Sequence, residues 1–193
     1  MDNYDTPCFI DFEASSLGPK SYPIEVAFSL EDGKVESYLL DPSGINYWND
    51  WDSFAESVHK ITQEQLRREG LQPSVVAEIM NQRLRGRVLY SDVHEYDWVW
   101  CQKLFEAAGE TPTFKISNAS ILFSQKLNDI HEPSLTQVMT GTPLSDGQLS
   151  YILNRYSSQA WEILDCAPHR AACDVQHHIE MWKLITATHS KIY

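Results

Sequence analysis

Asp11 and Glu13 stand one residue apart inside FIDFEASSLG, residues 9–18, an otherwise apolar run with the composition of a core strand. Side chains alternate along a strand, so both carboxylates face the same way, about 6.5 to 7 Å apart, with Phe12 on the opposite face. Two carboxylates held like this on a half-buried strand repel one another and are costly to ionise without cations. A pair of divalent ions about 3.5 to 4 Å apart fits between and around them. The plainer alternative is a solvent-facing strand edge.

A second cluster of chemistry-bearing residues lies in APHRAACD, residues 167–174, where His169 precedes Asp174 by five positions at the opening of the last helical segment. This spacing puts the imidazole near the mouth of a site and the carboxylate about one helical turn deeper. Ala171 and Ala172 leave room for another backbone beside them. His177 and His178 follow on the same helix and read as packing residues. In YSDVHEYDWVW, residues 90–100, a strand ends near Ser91 and Asp97 opens the next helix, where an acid is favoured by the dipole in any case. Asp92, five residues earlier, competes for the same role.

The elements that must carry these residues follow from periodicity. Residues 8–13 read as a strand, and residues 24–30 alternate with Ile24, Val26, Phe28 and Leu30 on one face. Lys34 to Leu40 is a third strand after the turn Glu31-Asp32-Gly33, so the first three strands form a meander. Residues 41–51 read as a loop. Ser74 to Arg85 has helical spacing between Pro73 and Gly86. Arg87 to Ser91 is a short strand, and Asp97 to Ala108 a helix with Trp98, Cys101, Phe105 and Ala108 in one stripe. Residues 114–166 read as mostly helical, with breaks at Pro133, Gly141 to Pro143 and Asp146-Gly147. The last helix runs from Pro168 to about Thr186, with Val175, Ile179, Trp182 and Ile185 towards the core. The pattern is α/β, a mixed β-sheet flanked by α-helices.

The chain has 193 residues, enough for one well-cored domain, and 1–193 is expected to be a single one. With 27 acidic against 15 basic residues the formal net charge is −12, which argues against a broad groove gripping long nucleic acid through its phosphates. It permits a small pocket in which metal ions supply the positive charge. Arg67, Arg68, Arg83, Arg85 and Arg87 form the one basic cluster, either a phosphate track or a solvated face. Trp98, Trp100 and Trp161 read as core residues rather than a base-stacking platform. Cys8, Cys101, Cys166 and Cys173 make no CxxC pair and read as reduced, mostly buried thiols of a cytoplasmic protein. No apolar run reaches the roughly 20 residues needed to cross a membrane, and MDNYDTP lacks the features of an export signal.

Taken together and in this order, Asp11-x-Glu13 with its small-residue turn, Asp97, and His169-x4-Asp174 resemble the motifs of the DEDDh 3′-to-5′ exonucleases of the ribonuclease H-like superfamily. VHKITQEQL, residues 58–66, is similar to the His-x-Ile-Thr segment of that family, with Lys60 where glycine is common. The second motif usually has an asparagine a few residues before its aspartate, where this chain has Val93. The resemblance spans about residues 8–180.

It implies a ribonuclease H-like fold and a hydrolase releasing nucleoside 5′-monophosphates from a nucleic acid 3′ end, DNA or RNA. Asp11, Glu13, Asp97 and Asp174 would hold two Mg²⁺ or Mn²⁺ ions, with Asp11 bridging both. One ion would activate water and the other would stabilise the leaving 3′-oxygen. His169 would be the general base, and Ser15, Ser16 and Leu17 would contact the terminal nucleotide. Two alternatives stay open: an oligoribonuclease-like enzyme for very short oligomers, which suits an acidic protein, and a non-catalytic interaction module on the same fold. Oligomeric state is not legible.

Overall fold

The computed structural model describes residues 6–130 and 144–187. Three strands open the chain as a meander: β1 (Cys8–Ala14), β2 (Pro23–Ser29) and β3 (Val35–Leu39). Two parallel strands follow, β4 (Val88–Ser91) and β5 (Lys115–Asn118), giving a five-stranded sheet in the order β3-β2-β1-β4-β5. β1 pairs antiparallel with β2 and parallel with β4, so it is the central strand and the edge alternative for Asp11 and Glu13 is excluded. β2 is buried along its whole length, so its alternation does not separate a wet face from a dry one.

The described residues form seven helices: α1 (Ser53–His59), α2 (Gln63–Glu69), α3 (Pro73–Leu84), α4 (His94–Ala108), α5 (Ala119–Ile130), α6 (Asp146–Ile163) and α7 (Ala171–Ala187). The mixed sheet with helices on its faces is the ribonuclease H-like α/β arrangement that the sequence leads one to expect. Alternation along β1 divides the core. Ile10, Phe12, Val26 and Phe28 pack with Val76, Met80, Leu104 and Phe105 of α3 and α4. Phe9 and Ala27 point the other way, onto Phe123 of α5 and Val175, Ile179 and Trp182 of α7. Each large apolar side chain buried here contributes about 1.5–3 kcal/mol. Asp11 and Glu13 share the parity of Phe9, so they emerge at the C-terminal end of β1 on the side where α7 begins.

Several boundaries move. α4 starts at His94, so Asp97 lies in its first turn and does not open it. α7 starts at Ala171, which leaves Pro168 and His169 in the preceding loop. β5 falls in the stretch read as helical, and the breaks at Pro133 and Gly141 to Pro143 lie outside the described residues. Lys60 caps α1 with φ 61°, the left-handed region that favours glycine, which gives the physical reason for that preference here. Gly70 is required by close approach: a Cβ there would lie 2.4 Å from the Leu66 carbonyl oxygen and 2.6 Å from the Asp41 nitrogen.

The cysteine reading is corrected in part. Cys8 and Cys101 are free and buried, and burial pushes both thiols up. Cys166 and Cys173 instead form a disulfide across seven residues of sequence, because the loop before α7 folds back over that helix's first turn. The expectation of a cytoplasmic location rested partly on four reduced thiols and loses that support. Among the described residues no helix is long and apolar enough to cross a membrane.

Candidate active site

The carboxylates come together around Asp11. Ligand oxygens of Asp11, Glu13 and Asp174 lie within 4.8 Å of one another, and those of Asp11, Asp92 and Asp97 do likewise. Asp11 therefore belongs to both triads. The sequence left Asp92 and Asp97 as competitors, and the fold brings both to the site. Asp97 is fully buried, while Asp92, at the end of β4, is exposed.

Burial and mutual repulsion decide the protonation of this group. Burial first, then the charges of Asp97 and Asp174, hold the Asp11 carboxyl well above the usual carboxylate range. Burial and Asp174 push Glu13 up to about 8. Asp97 also rises to about 8, mainly through burial, although the Ser91 hydroxyl and the Phe12 N–H donate to it. Asp174 is raised to about 6, again chiefly by burial. Asp97 Oδ1 is buried with no hydrogen-bond partner. A hard divalent cation supplies what these groups lack, since carboxylate oxygens are its preferred donors and its charge removes their repulsion. The donor set thus fits metal ions, with Asp11 able to serve two.

His169 lies in the exposed loop that leads into α7 and Asp174, with φ 64°. A non-glycine residue held in that conformation costs on the order of 1–3 kcal/mol and persists only where its surroundings enforce it. Several contacts do so. Arg170 donates to the buried Glu25 of β2 through Nε at 3.0 Å and Nη2 at 2.8 Å. The Ala171 N–H donates to the same carboxylate at 3.1 Å. Asp174 accepts backbone hydrogen bonds from His169 and Arg170, and the Cys166–Cys173 disulfide brackets the loop. Glu25 and Arg170 were not singled out from the sequence. Their one signal, an acid in an apolar strand, is legible in IEVAFSL, but the partner lies 145 residues away.

The turn after β1 divides its work. Ser15 accepts from Tyr22 N at 3.1 Å, while Ser16 donates to Asp50 at 2.5 Å and accepts from Gly18 N at 3.0 Å. Both serines are buried and shape the turn, leaving Leu17, 79% exposed, as its projecting apolar side chain. His59, in the His-x-Ile-Thr segment, is buried with Nδ1 accepting from Ile61 N at 3.0 Å and Nε2 without a partner. Trp100 is buried and Trp98 packs against the core, while Trp161 stacks on His177 with ring centroids 4.1 Å apart. Of the arginines, Arg68, Arg83 and Arg87 pair with Glu69, Glu36 and Glu31, which favours the solvated-face reading.

No family model matches the chain, and no curated protein matches it. Solved structures do. Zinc-bound E. coli exonuclease I in complex with single-stranded DNA superposes over 95% of this chain with a TM-score of 0.65 at 15% identity. The protein has the fold of the DEDDh-type exonucleases. Cell-death related nuclease 4 aligns over 96% of the chain with a TM-score of 0.62 at 15% identity, and exonuclease I from Methylocaldum szegediense over 95% with 0.56 at 15%. The chain spans 41% of the two exonuclease I chains and 65% of cell-death related nuclease 4. At these identities the likeness is one of fold. The carboxylate cluster at the end of β1 is the independent observation drawn from this chain's own side chains.

Proposed function

We propose that the chain, as a single domain, is a metal-dependent 3′-to-5′ exonuclease that hydrolyses phosphodiester bonds and releases nucleoside 5′-monophosphates. The observation that carries this reading is Asp11's membership of two carboxylate triads. Asp11, Glu13, Asp97 and Asp174 would hold two Mg²⁺ or Mn²⁺ ions, which supply Lewis acidity and neutralise charge developing on the phosphoryl group. Asp92 completes the second triad from the solvent side.

The residues around the cluster have defined work. Leu17 packs against the terminal base and the Ser15–Ser16 turn presents its backbone to the sugar. His169, held by Arg170 and Asp174, accepts the proton of the attacking water. That water's oxygen bonds to phosphorus, the bond to the preceding 3′-oxygen breaks, and the freed 3′-oxygen takes up a proton. A general base in this position contributes typically 10²–10⁴-fold. The short-oligomer alternative retains one supporting fact, the pairing of Arg68, Arg83 and Arg87 with glutamates. The interaction-module alternative is disfavoured by the carboxylate cluster around Asp11, which such a module has no need to keep.

The test is a panel of labelled DNA, RNA, duplex and dinucleotide substrates with Mg²⁺, Mn²⁺ or EDTA. Release of 5′-mononucleotides from 3′ ends is expected, abolished by EDTA and Asp11→Ala and reduced about 10²-fold or more in His169→Ala. Undiminished hydrolysis in both folded variants would refute the assignment. A dinucleotide cut far faster than a long strand would favour the short-oligomer form.

A further inference from the structure

The disulfide between Cys166 and Cys173, whose Cα atoms are 6.0 Å apart, closes a ring of chain with His169 in its middle. The two halves of that ring are held differently. On the C-terminal side Arg170 and the Ala171 N–H are fastened to Glu25, and the Asp174 N–H donates to the Arg170 carbonyl at 3.1 Å. On the N-terminal side, among the described residues, no backbone hydrogen bond holds Asp165, Cys166, Ala167 or Pro168 between the end of α6 and His169. The disulfide is therefore the fastening of this half. The left-handed backbone of His169 persists only where its surroundings enforce it, and here one of the two sides is enforced by a bond that chemistry can open.

The two sulfurs are not equally open. Cys166 is exposed in the loop, while Cys173 is 4% exposed in the first turn of α7. An incoming thiolate reaches Cys166 Sγ and bonds to it, the bond to Cys173 Sγ breaks, and Cys173 leaves as a thiolate that takes up a proton. The second thiol of a dithiol then displaces Cys166 from this mixed disulfide, so the reductant ends as its own disulfide and both cysteines end as thiols. A small disulfide reverses the exchange. Cys8 and Cys101 are free but buried with Ile10, Leu104 and Phe105, so neither competes for Cys166.

We propose that the Cys166–Cys173 disulfide is a reversible modification site, open to a dithiol reductant, whose oxidised form positions His169 for proton transfer and whose reduced form releases it. The inference rests on the exonuclease reading and deepens it: the same carboxylate site turns over fast when the loop is oxidised and slowly when it is reduced.

The test compares oxidised wild type, wild type reduced with dithiothreitol that is then removed, Cys166→Ser, and His169→Ala in both redox forms. Turnover of the fastest-cleaved of the DNA, RNA and dinucleotide substrates is followed with Mn²⁺, and alkylation with mass spectrometry reports which cysteines are thiols. Reduction of wild type is expected to free Cys166 and Cys173 and to lower kcat at least about tenfold with KM within about twofold, as displacement of a base that acts only in the transition state requires. Cys166→Ser shows the reduced rate with or without dithiothreitol, and oxidised glutathione restores reduced wild type. His169→Ala changes less than about twofold on reduction, because the group that the disulfide positions is already gone. Amide hydrogen exchange reads the loop without turnover: residues 164–170 exchange faster after reduction, while Val175, Ile179 and Ile185 of α7 keep their protection. An unchanged kcat on reduction, an equal fall in His169→Ala, or unchanged exchange of the loop overturns the inference and leaves the exonuclease reading intact. Recovery of Cys166 and Cys173 as free thiols after treatment with oxidised glutathione does the same. Absence of all hydrolysis by wild type in both redox forms overturns both readings.

Discussion

The protonation of four acids is the residue-scale signature of this site. In the unfolded chain these carboxyls ionise near pH 4. In the folded, metal-free protein Asp174 holds its proton up to about 6 and Glu13 and Asp97 up to about 8, with Asp11 also raised. Below about pH 4 both states are protonated and the groups are neutral to stability. As the pH rises from there, the unfolded state releases protons that the folded state retains, so stability is lost progressively until about pH 8 and then levels off. The metal-free protein is therefore expected to have a lower urea midpoint at about pH 8 than at about pH 5, with saturating Mn²⁺ restoring most of the difference. A midpoint that rises over this interval without metal, or is unmoved by it, would show that the carboxyls are not mutually strained.

At the scale of elements, the fastening of the loop before α7 to β2 is what gives His169 its place. Arg170→Ala leaves Glu25 buried, 2% exposed, without its cationic partner and beside Glu13, its cross-strand neighbour. Breaking a fully buried pair costs about 3–5 kcal/mol, and with the Arg170 side chain 41% exposed the expected loss is nearer 2 kcal/mol. The same change should lower kcat by about tenfold or more while leaving Mn²⁺ affinity within about twofold, because His169 moves and the carboxylates do not. Equal losses in both would make the pair merely structural. This fastening shows where sequence reading stops. Asp11 and Glu13 were legible because two acids violate the apolar pattern of a strand, and α7 because Val175, Ile179, Trp182 and Ile185 keep its period. β5 was not, since its four residues, KISN, are a strand only by pairing with β4. α1 and α2 are seven residues each and mostly polar, too short to show a face. The disulfide has no spacing signature, because its geometry depends on a loop folding back on a helix start.

For the whole molecule, a net charge of −12 and arginines paired with glutamates leave little long-range attraction for a phosphate chain. On the proposed exonuclease reading, local groups would then hold the substrate: the carboxylate cluster with its cations, and Leu17 beside it. The sheet order makes this possible by placing β1 at the centre, with α7 crossing its C-terminal end and β4 delivering Asp92 and the start of α4. Asp11 is the residue on which the arrangement turns. The most direct test is calorimetric titration of Mn²⁺ into wild type and Asp11→Asn, each verified as folded. Two ions per chain are expected for wild type, with both lost or weakened by more than about tenfold in Asp11→Asn, as a shared ligand requires. Two undiminished sites in Asp11→Asn, or no Mn²⁺ binding by wild type, would contradict the account.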